Sequence, residues 1–383
     1  MDPLLFQQLG LVEKKEYRSM EENNSKTEFN LPGRLGDPDM QLAADPRFDA
    51  RLFSAMKKLG LLEPEPKAPV TSDSDIEDLI NFSNIAEQAW EEENERIYAD
   101  VMPHPDVDLA QVTIDGVDGN EIEIYIHRPS GSEEILPGVL YLHGGGMVML
   151  STTGAIYQQW RDELSLAGLV AVGVEFRNAG GRLGPHPFPA GLNDCISALK
   201  WMHKNRESLG ISGIVVSGES GGGNLSIATC LKAKKEGFLG HIQGIYAQAP
   251  IVANAYSQKD PGLMSLYECD GYAGLELGLV AALTRLYDPE QKNTRNPLAW
   301  PMYATEELLT DLPPHFVSVN ELDPHRDEGI AYVRKLVKAG VMASSRTING
   351  THHVADMKFR DHVPDIFFET ISSIKAFAER VTS

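Results

Sequence analysis

Short apolar runs alternate with longer amphipathic stretches over much of the chain beyond residue 137. Apolar runs bounded by glycine and polar residues are typical of strands buried on both faces, and they predict strands at 138–146, 169–176, 213–220, 244–250 and 315–323. Apolar positions at helical spacing predict helices at 153–167, 189–209, 222–236 and 327–339. This alternation indicates an α/β fold with a mostly parallel sheet and helices on both faces.

Three other stretches have a different pattern. Apolar residues at helical spacing predict helices within 45–62 and 73–100, and strict alternation predicts a β-hairpin at 111–129. Between Pro250 and Leu312 the strand–helix alternation stops, which indicates an insertion. We therefore divide the chain into an N-terminal helical segment at 1–110, a core at 111–250 and 311–383, and an insertion at 251–310.

The chain is strongly acidic and has enough apolar residues for a large core. Of its 383 residues, 42% are hydrophobic, and 34 basic residues against 55 acidic ones give a net charge of −21. A field of this sign repels nucleic acids and anionic membranes, so we expect neither as a partner.

The sequence has no pattern typical of a membrane or secreted protein. No apolar run reaches the roughly 18 residues of a transmembrane helix, and the N-terminal residues lack a basic segment followed by an apolar one. Cys195, Cys230 and Cys269 are widely spaced, which predicts buried thiols in a reducing compartment. We therefore expect a cytoplasmic protein.

The sequence GESGG at 218–222 places Ser220 between a predicted strand and a predicted helix. A G-x-S-x-G sequence in this context predicts a tight turn that exposes the serine hydroxyl as a nucleophile. An ordinary strand-to-helix turn and a phosphate-binding loop are the alternatives, but the GK[ST] of a P-loop is absent.

A second glycine-rich sequence, HGGG at 143–146, also ends a predicted strand. A run of glycines lets backbone N–H groups approach a substrate oxygen, so this loop predicts an oxyanion hole. His143 is interpreted as a residue that organises the loop rather than as a base. The alternative is a flexible turn without a catalytic role.

An acid and a histidine follow further along the chain. Asp323 ends a predicted strand before a proline, and Glu321 is the second candidate for the acid. Asp327 and Glu328 are interpreted as first-turn helix acids. His352 and His353 follow a strand-like stretch, and we expect both in a loop; the order Ser, Asp, His is that of α/β-hydrolases. The spacing of these groups does not favour a zinc site.

These motifs, together with HPFPAGLND at 186–194, DPHRDEG at 323–329 and GTHHVAD at 350–356, resemble the hormone-sensitive lipase family of α/β-hydrolase esterases. The resemblance implies an α/β-hydrolase fold whose N-terminal helices and insertion form a helical cap. It implies that Ser220 is the nucleophile and Asp323 the acid. The family histidine lies three residues after a glycine, which selects His353 over His352. The implied oxyanion donors are Gly145, Gly146 and Gly221.

The function that this resemblance implies is that of a carboxylesterase acting on short-chain or lactone esters through an acyl-enzyme. This chemistry needs neither a metal nor an organic cofactor. We expect a small-molecule ester as the partner, and a homodimer is left open. An acyltransferase or lyase on the same fold and a non-catalytic binding protein are the alternatives.

Overall fold

A computed structural model of the protein describes Leu35, Asp37 and residues 39–62, 68–98, 102–257 and 259–383. The predicted N-terminal segment at 1–110 therefore lies partly outside the described residues.

The described residues contain one sheet of eight strands in the order β1-β2-β4-β3-β5-β6-β7-β8. The strands are β1 (Val107–Asp115), β2 (Glu121–Pro129), β3 (Leu136–Leu142), β4 (Val170–Val174), β5 (Ile211–Glu219), β6 (Gly244–Gln248), β7 (His315–Leu322) and β8 (Ala343–His352). Strand β2 is antiparallel to β1 and β4, and the other neighbours are parallel. The predicted hairpin and the mostly parallel sheet are confirmed.

Helices occupy the stretches between the strands. They are α1 (Ala50–Leu59), α2 (Ile76–Tyr98), α3 (Ala155–Leu166), α4 (Ala190–Lys204), α5 (Gly221–Glu236), α6 (Ser265–Glu268), α7 (Leu277–Tyr287), α8 (Glu306–Leu309), α9 (Arg326–Lys338), α10 (Ala355–Lys358) and α11 (Pro364–Thr382). The helices predicted from periodicity are all present, and their ends lie within a few residues of the predicted ones. The described part of 251–310 contains helices and no strand.

Helices pack against both faces of the sheet. Every residue of β3 is buried, and successive side chains of a strand point to opposite faces, so both faces must be covered. Helices α4 and α5 contact each other and β3, and α11 contacts both α3 and β3. This arrangement is the predicted α/β architecture.

The parallel order brings the ends of several strands to one edge of the sheet. Strands β3, β5, β6, β7 and β8 are parallel neighbours, so their carboxyl ends lie at the same edge. The sequences HGGG, GESGG, DPHRDEG and GTHHVAD lie at the ends of β3, β5, β7 and β8. In doubly wound sheets this edge is where ligands bind.

The three cysteines are buried and form no disulfide, as predicted. Among the described residues, no helix combines the length and the apolar character needed to cross a membrane.

Candidate active site

Ser220 occupies a strained turn between β5 and α5. Its backbone has φ 55° and ψ −118°, a combination that a residue with a Cβ adopts only when its surroundings enforce it. The Ser220 N–H donates to the Gln248 carbonyl at 2.9 Å, which ties the turn to the end of β6. The predicted strand–turn–helix context of the serine is therefore present.

Three of the predicted residues form one hydrogen-bonded path. His353 Nε2 lies 2.9 Å from Ser220 Oγ, and His353 Nδ1 lies 2.8 Å from Asp323 Oδ2. Strands β7 and β8 carry the acid and the histidine to the edge where β5 carries the serine. The structure thus brings together residues that are more than 100 positions apart in the chain.

Asp323 is fully buried. Burial opposes its charged form, but the charge and hydrogen bond of His353, with further help from His325, hold the pKa of Asp323 below its usual value. An ionised Asp323 accepts Nδ1–H of His353. The ring tautomer with Nδ1 protonated leaves Nε2 as the acceptor for the Ser220 hydroxyl.

His352 has a different environment from His353. Strand β8 extends through His352, so the prediction that both histidines lie in a loop is wrong for the first of them. Its Nδ1 lies 3.2 Å from the His353 carbonyl oxygen, and burial lowers its pKa to about 3. His352 is therefore a neutral, buried residue next to the site.

Two other candidates have contacts with the backbone around the site. The Nδ1 of His143 lies 2.9 Å from the Gly144 carbonyl oxygen, its ring stacks on Phe176 with centroids 4.1 Å apart, and burial lowers its pKa to about 3. Glu321, the second candidate for the acid, accepts the Gly350 N–H at 2.8 Å. It holds the strand that leads to His353 and does not contact the ring.

Two of the predicted oxyanion donors, Gly145 and Gly146, lie in a loop at 143–147, which we call the oxyanion loop, and the third, Gly221, begins α5 directly after Ser220. Gly145 has φ 92°, and a Cβ at this position would lie 2.1 Å from the Met149 carbonyl oxygen. A Cβ on Gly221 would lie 2.8 Å from the Gly146 nitrogen. The oxyanion loop and the start of α5 therefore approach each other so closely that only glycine fits without displacement.

Glu219 is a site residue that the sequence reasoning missed. It is buried, and its carboxyl group accepts the Gly144 N–H at 2.5 Å and the Tyr141 hydroxyl at 2.8 Å. Burial raises the pKa of Glu219 to about 8, against the opposing effect of these hydrogen bonds. The residue before Ser220 thus holds the first glycine of the oxyanion loop. The signal in the sequence is a charged residue at the end of an otherwise uncharged strand.

A cavity of about 1020 Å³ opens onto Ser220. Its floor contains the oxyanion loop and His353. Its walls come from α2, α7 and neighbouring loop residues. Phe82, Ala86 and Trp90 of α2 line it, and so do Leu279, Val280 and Leu283 of α7. A half-buried ion pair of Glu93 and Lys358, 2.9 Å apart, lies in the same wall.

A family model described as the α/β-hydrolase fold matches residues 139–357. The structure of brefeldin A esterase, described as a bacterial homologue of human hormone-sensitive lipase, is similar with a TM-score of 0.86 and 42% identity, over 92% of this chain and 98% of that one.

Two curated relatives are also esterases by name. Esterase LipI of Mycobacterium tuberculosis is 32% identical over 248 residues, which are 62% of this chain and 72% of that protein. An arylesterase of Saccharolobus solfataricus is 30% identical over 220 residues, which are 56% of this chain and 67% of that protein.

The oxyanion loop gives a prediction that compares two adjacent glycines. An alanine Cβ at 145 would collide with the Met149 carbonyl, whereas the space beside Gly146 is open and alanine there meets only the strain of φ 67°. We expect Gly145→Ala to slow covalent labelling of Ser220 by a fluorophosphonate by roughly 100-fold, as loss of an oxyanion donor does. Gly146→Ala should slow it much less. Equal labelling rates for the two variants would contradict the conclusion that only the side chain at 145 is sterically excluded.

Glu219 gives a second prediction. In Glu219→Ala the Gly144 N–H loses its buried acceptor, so the oxyanion loop should move and labelling of Ser220 should slow by roughly 10- to 100-fold. Tyr141→Phe removes only the second partner of the carboxyl group and is the matched control, with a smaller effect expected. Labelling of Glu219→Ala at the wild-type rate, in a protein shown to be folded by its thermal melt, would refute the role.

Proposed function

We propose that this chain, which belongs to the α/β-hydrolase fold family together with the esterases homologous to hormone-sensitive lipase, hydrolyses esters through a triad of Ser220, His353 and Asp323. The chain is an esterase of that fold. The observation that carries the assignment of residues is the path of two hydrogen bonds, 2.8 and 2.9 Å long, from Asp323 through His353 to Ser220.

In the proposed mechanism, Ser220 Oγ attacks the carbonyl carbon of the ester while His353 Nε2 takes the hydroxyl proton. The electron pair of the carbonyl π bond moves onto its oxygen, where the N–H groups of Gly145, Gly146 and Gly221 stabilise the negative charge. Collapse of this intermediate breaks the bond to the alcohol, which leaves with the proton from His353. Asp323 stabilises the imidazolium that forms in between.

Water completes the cycle on the acyl-enzyme. His353 takes a proton from the water as its oxygen attacks the acyl carbon, and the bond to Ser220 Oγ then breaks. Ser220 recovers its proton and the carboxylic acid is released. The proton transfers between Ser220 and His353 use atoms that already lie within hydrogen-bond distance of each other, as do His353 and Asp323.

We extend the proposal to the class of ester. A cavity of about 1020 Å³ lies at the upper end of the range for small-molecule sites, so a bulky substrate can enter whole. We propose that α2 and α7 form the cap over it, and that soluble short-chain esters and lactones are substrates. In a lactone the same acyl transfer opens the ring, and the alcohol stays tethered to the acyl group. The similarity to brefeldin A esterase supports a lactone substrate.

The triad predicts which variants lose activity. Ser220→Ala and His353→Asn should each lower kcat for p-nitrophenyl butyrate by roughly 10⁴-fold or more, because they remove the nucleophile and its base. His352→Asn is the matched control at the adjacent buried histidine, and we expect a far smaller loss. Near-wild-type kcat in folded Ser220→Ala, or a larger loss at 352 than at 353, would refute the assignment.

The substrate class gives a separate prediction. A net charge of −21 disfavours work at an anionic surface, and the cavity suits one dissolved molecule. We expect p-nitrophenyl butyrate to be cleaved readily, at least one macrocyclic lactone to be opened, and emulsified long-chain triglyceride to be cleaved poorly. Preference for the triglyceride, with activation by the lipid–water interface, would overturn this prediction.

A further inference from the structure

A second buried histidine lies beside the proposed triad and has no part in the mechanism above. His325 immediately precedes α9, and its side chain is fully buried. Its backbone N–H donates to Asp323 Oδ1 at 2.8 Å. Its ring meets the His353 ring at a steep angle, with centroids 5.4 Å apart. One residue therefore contacts both proposed partners of Ser220.

His325 is held by a buried carboxyl group. Its Nδ1 lies 2.5 Å from Oε1 of Glu328, which is also fully buried. Glu328 Oε2 accepts the N–H groups of Val252 and Ala253 at 2.8 and 2.6 Å, and the Tyr256 hydroxyl lies 3.0 Å from both oxygens. An ionised carboxylate is an acceptor only and can take all of these donors.

The surroundings of the ring favour its charged form. The titratable groups that face it are Glu328 of α9, Asp323 after β7, His353 after β8, and Tyr256 of the segment after β6. Burial lowers the pKa of His325, but the hydrogen bond and charge of Glu328, with the charge of Asp323, raise it above the usual value. Among the described residues Nε2 has no hydrogen-bond partner. In both the neutral and the charged ring Nδ1–H donates to Glu328. The two forms differ by a proton on Nε2, which the negative charges of Glu328 and Asp323 favour.

We propose that His325 is a positioning residue of the ester-hydrolysing site, an imidazolium that Glu328 holds in place. It fixes the second oxygen of Asp323 through its backbone N–H, and its positive charge disfavours a proton on His353. His353 therefore stays available as a base at lower pH than it would beside a neutral residue. This inference rests on the proposed function, because it requires His353 to act on Ser220.

The size of the effect follows from the distance. Two like charges 5.4 Å apart repel each other enough to move a titration by roughly half a pH unit to two units, for effective dielectric constants between bulk water and about 20. Removal of the positive charge makes protonation of His353 easier. Activity should then be lost at higher pH when the solution is acidified.

The test is the pH dependence of kcat/KM for p-nitrophenyl butyrate in His325→Asn, which keeps an amide donor for Glu328 but has no charge. We expect the acidic limb of the profile to move to higher pH by roughly half a unit to two units. The rate of Ser220 labelling by a fluorophosphonate should move in the same way, which excludes a change in the rate-limiting step. Glu328→Gln removes the charge that keeps His325 protonated, so it should shift the limb in the same direction and serves if His325→Asn does not fold.

His315→Asn is the matched control. His315 is a buried histidine at the opposite end of β7, its Nδ1 contacts the Pro313 carbonyl oxygen at 2.7 Å, and burial lowers its pKa to about 4. Because His315 is neutral, its replacement should affect stability without shifting the acidic limb of the pH profile. If His325→Asn lowers the melting temperature but leaves the limb at the wild-type pH, as His315→Asn does, the role is merely structural and the inference is wrong. Activity that survives Ser220→Ala would instead refute the proposed function.

Discussion

Buried carboxyl groups that accept backbone N–H groups hold the loops of the site in place. Four of them surround the carboxyl edge of the sheet: Glu87, Glu219, Asp323 and Glu328, each no more than 3% exposed. Glu87 of α2 accepts the N–H groups of Leu150 and Arg182 at 2.7 and 2.6 Å, so it joins the cavity wall to the chain after the oxyanion loop. Glu219 joins the oxyanion loop to the Ser220 turn, and Asp323 joins His353 to the end of β7. Glu328 joins α9 to the chain after β6.

These contacts make the geometry of the site dependent on the hydrogen bonds of buried acids. A hydrogen bond to a charged group contributes about 1.5–3 kcal/mol, whereas a buried carboxylate without partners is strongly unfavourable. Each loop therefore has one arrangement in which its acid is satisfied, and a displaced loop leaves a buried polar group unpaired. The strained backbone of Ser220 persists because its neighbours are fixed in this way on both sides.

Much of the fold could be predicted from local sequence patterns, because buried parallel strands and their covering helices have distinct periodicities. The hairpin, strands β3 to β7 and the helices between them follow from hydrophobic spacing alone. The site residues followed from glycine-rich sequences placed at strand ends and from a family resemblance. The extension of β8 through His352 could not be predicted, because a glycine at 350 reads as the end of a strand, and here it lies within the strand with φ 73°.

The contacts of the acids that hold the loops could not be predicted from the sequence, for a different reason. A glutamate in a sequence is most often a solvated surface residue, and only the folded backbone reveals that its partners are N–H groups from distant segments. Glu328 was interpreted as a first-turn acid of α9, which is true of its position, but its carboxyl group binds the chain after β6. The chemistry of the site can thus be read from motifs, while the forces that keep it assembled depend on tertiary contacts. Helix α2 is joined to this edge by Glu87, by the Ser83 hydroxyl, which accepts the Gly181 N–H at 3.0 Å, and by the ion pair of Glu93 and Lys358. The apolar side chains of α2 and α7 that line the cavity take no part in the hydrogen-bonded path from Asp323 to Ser220.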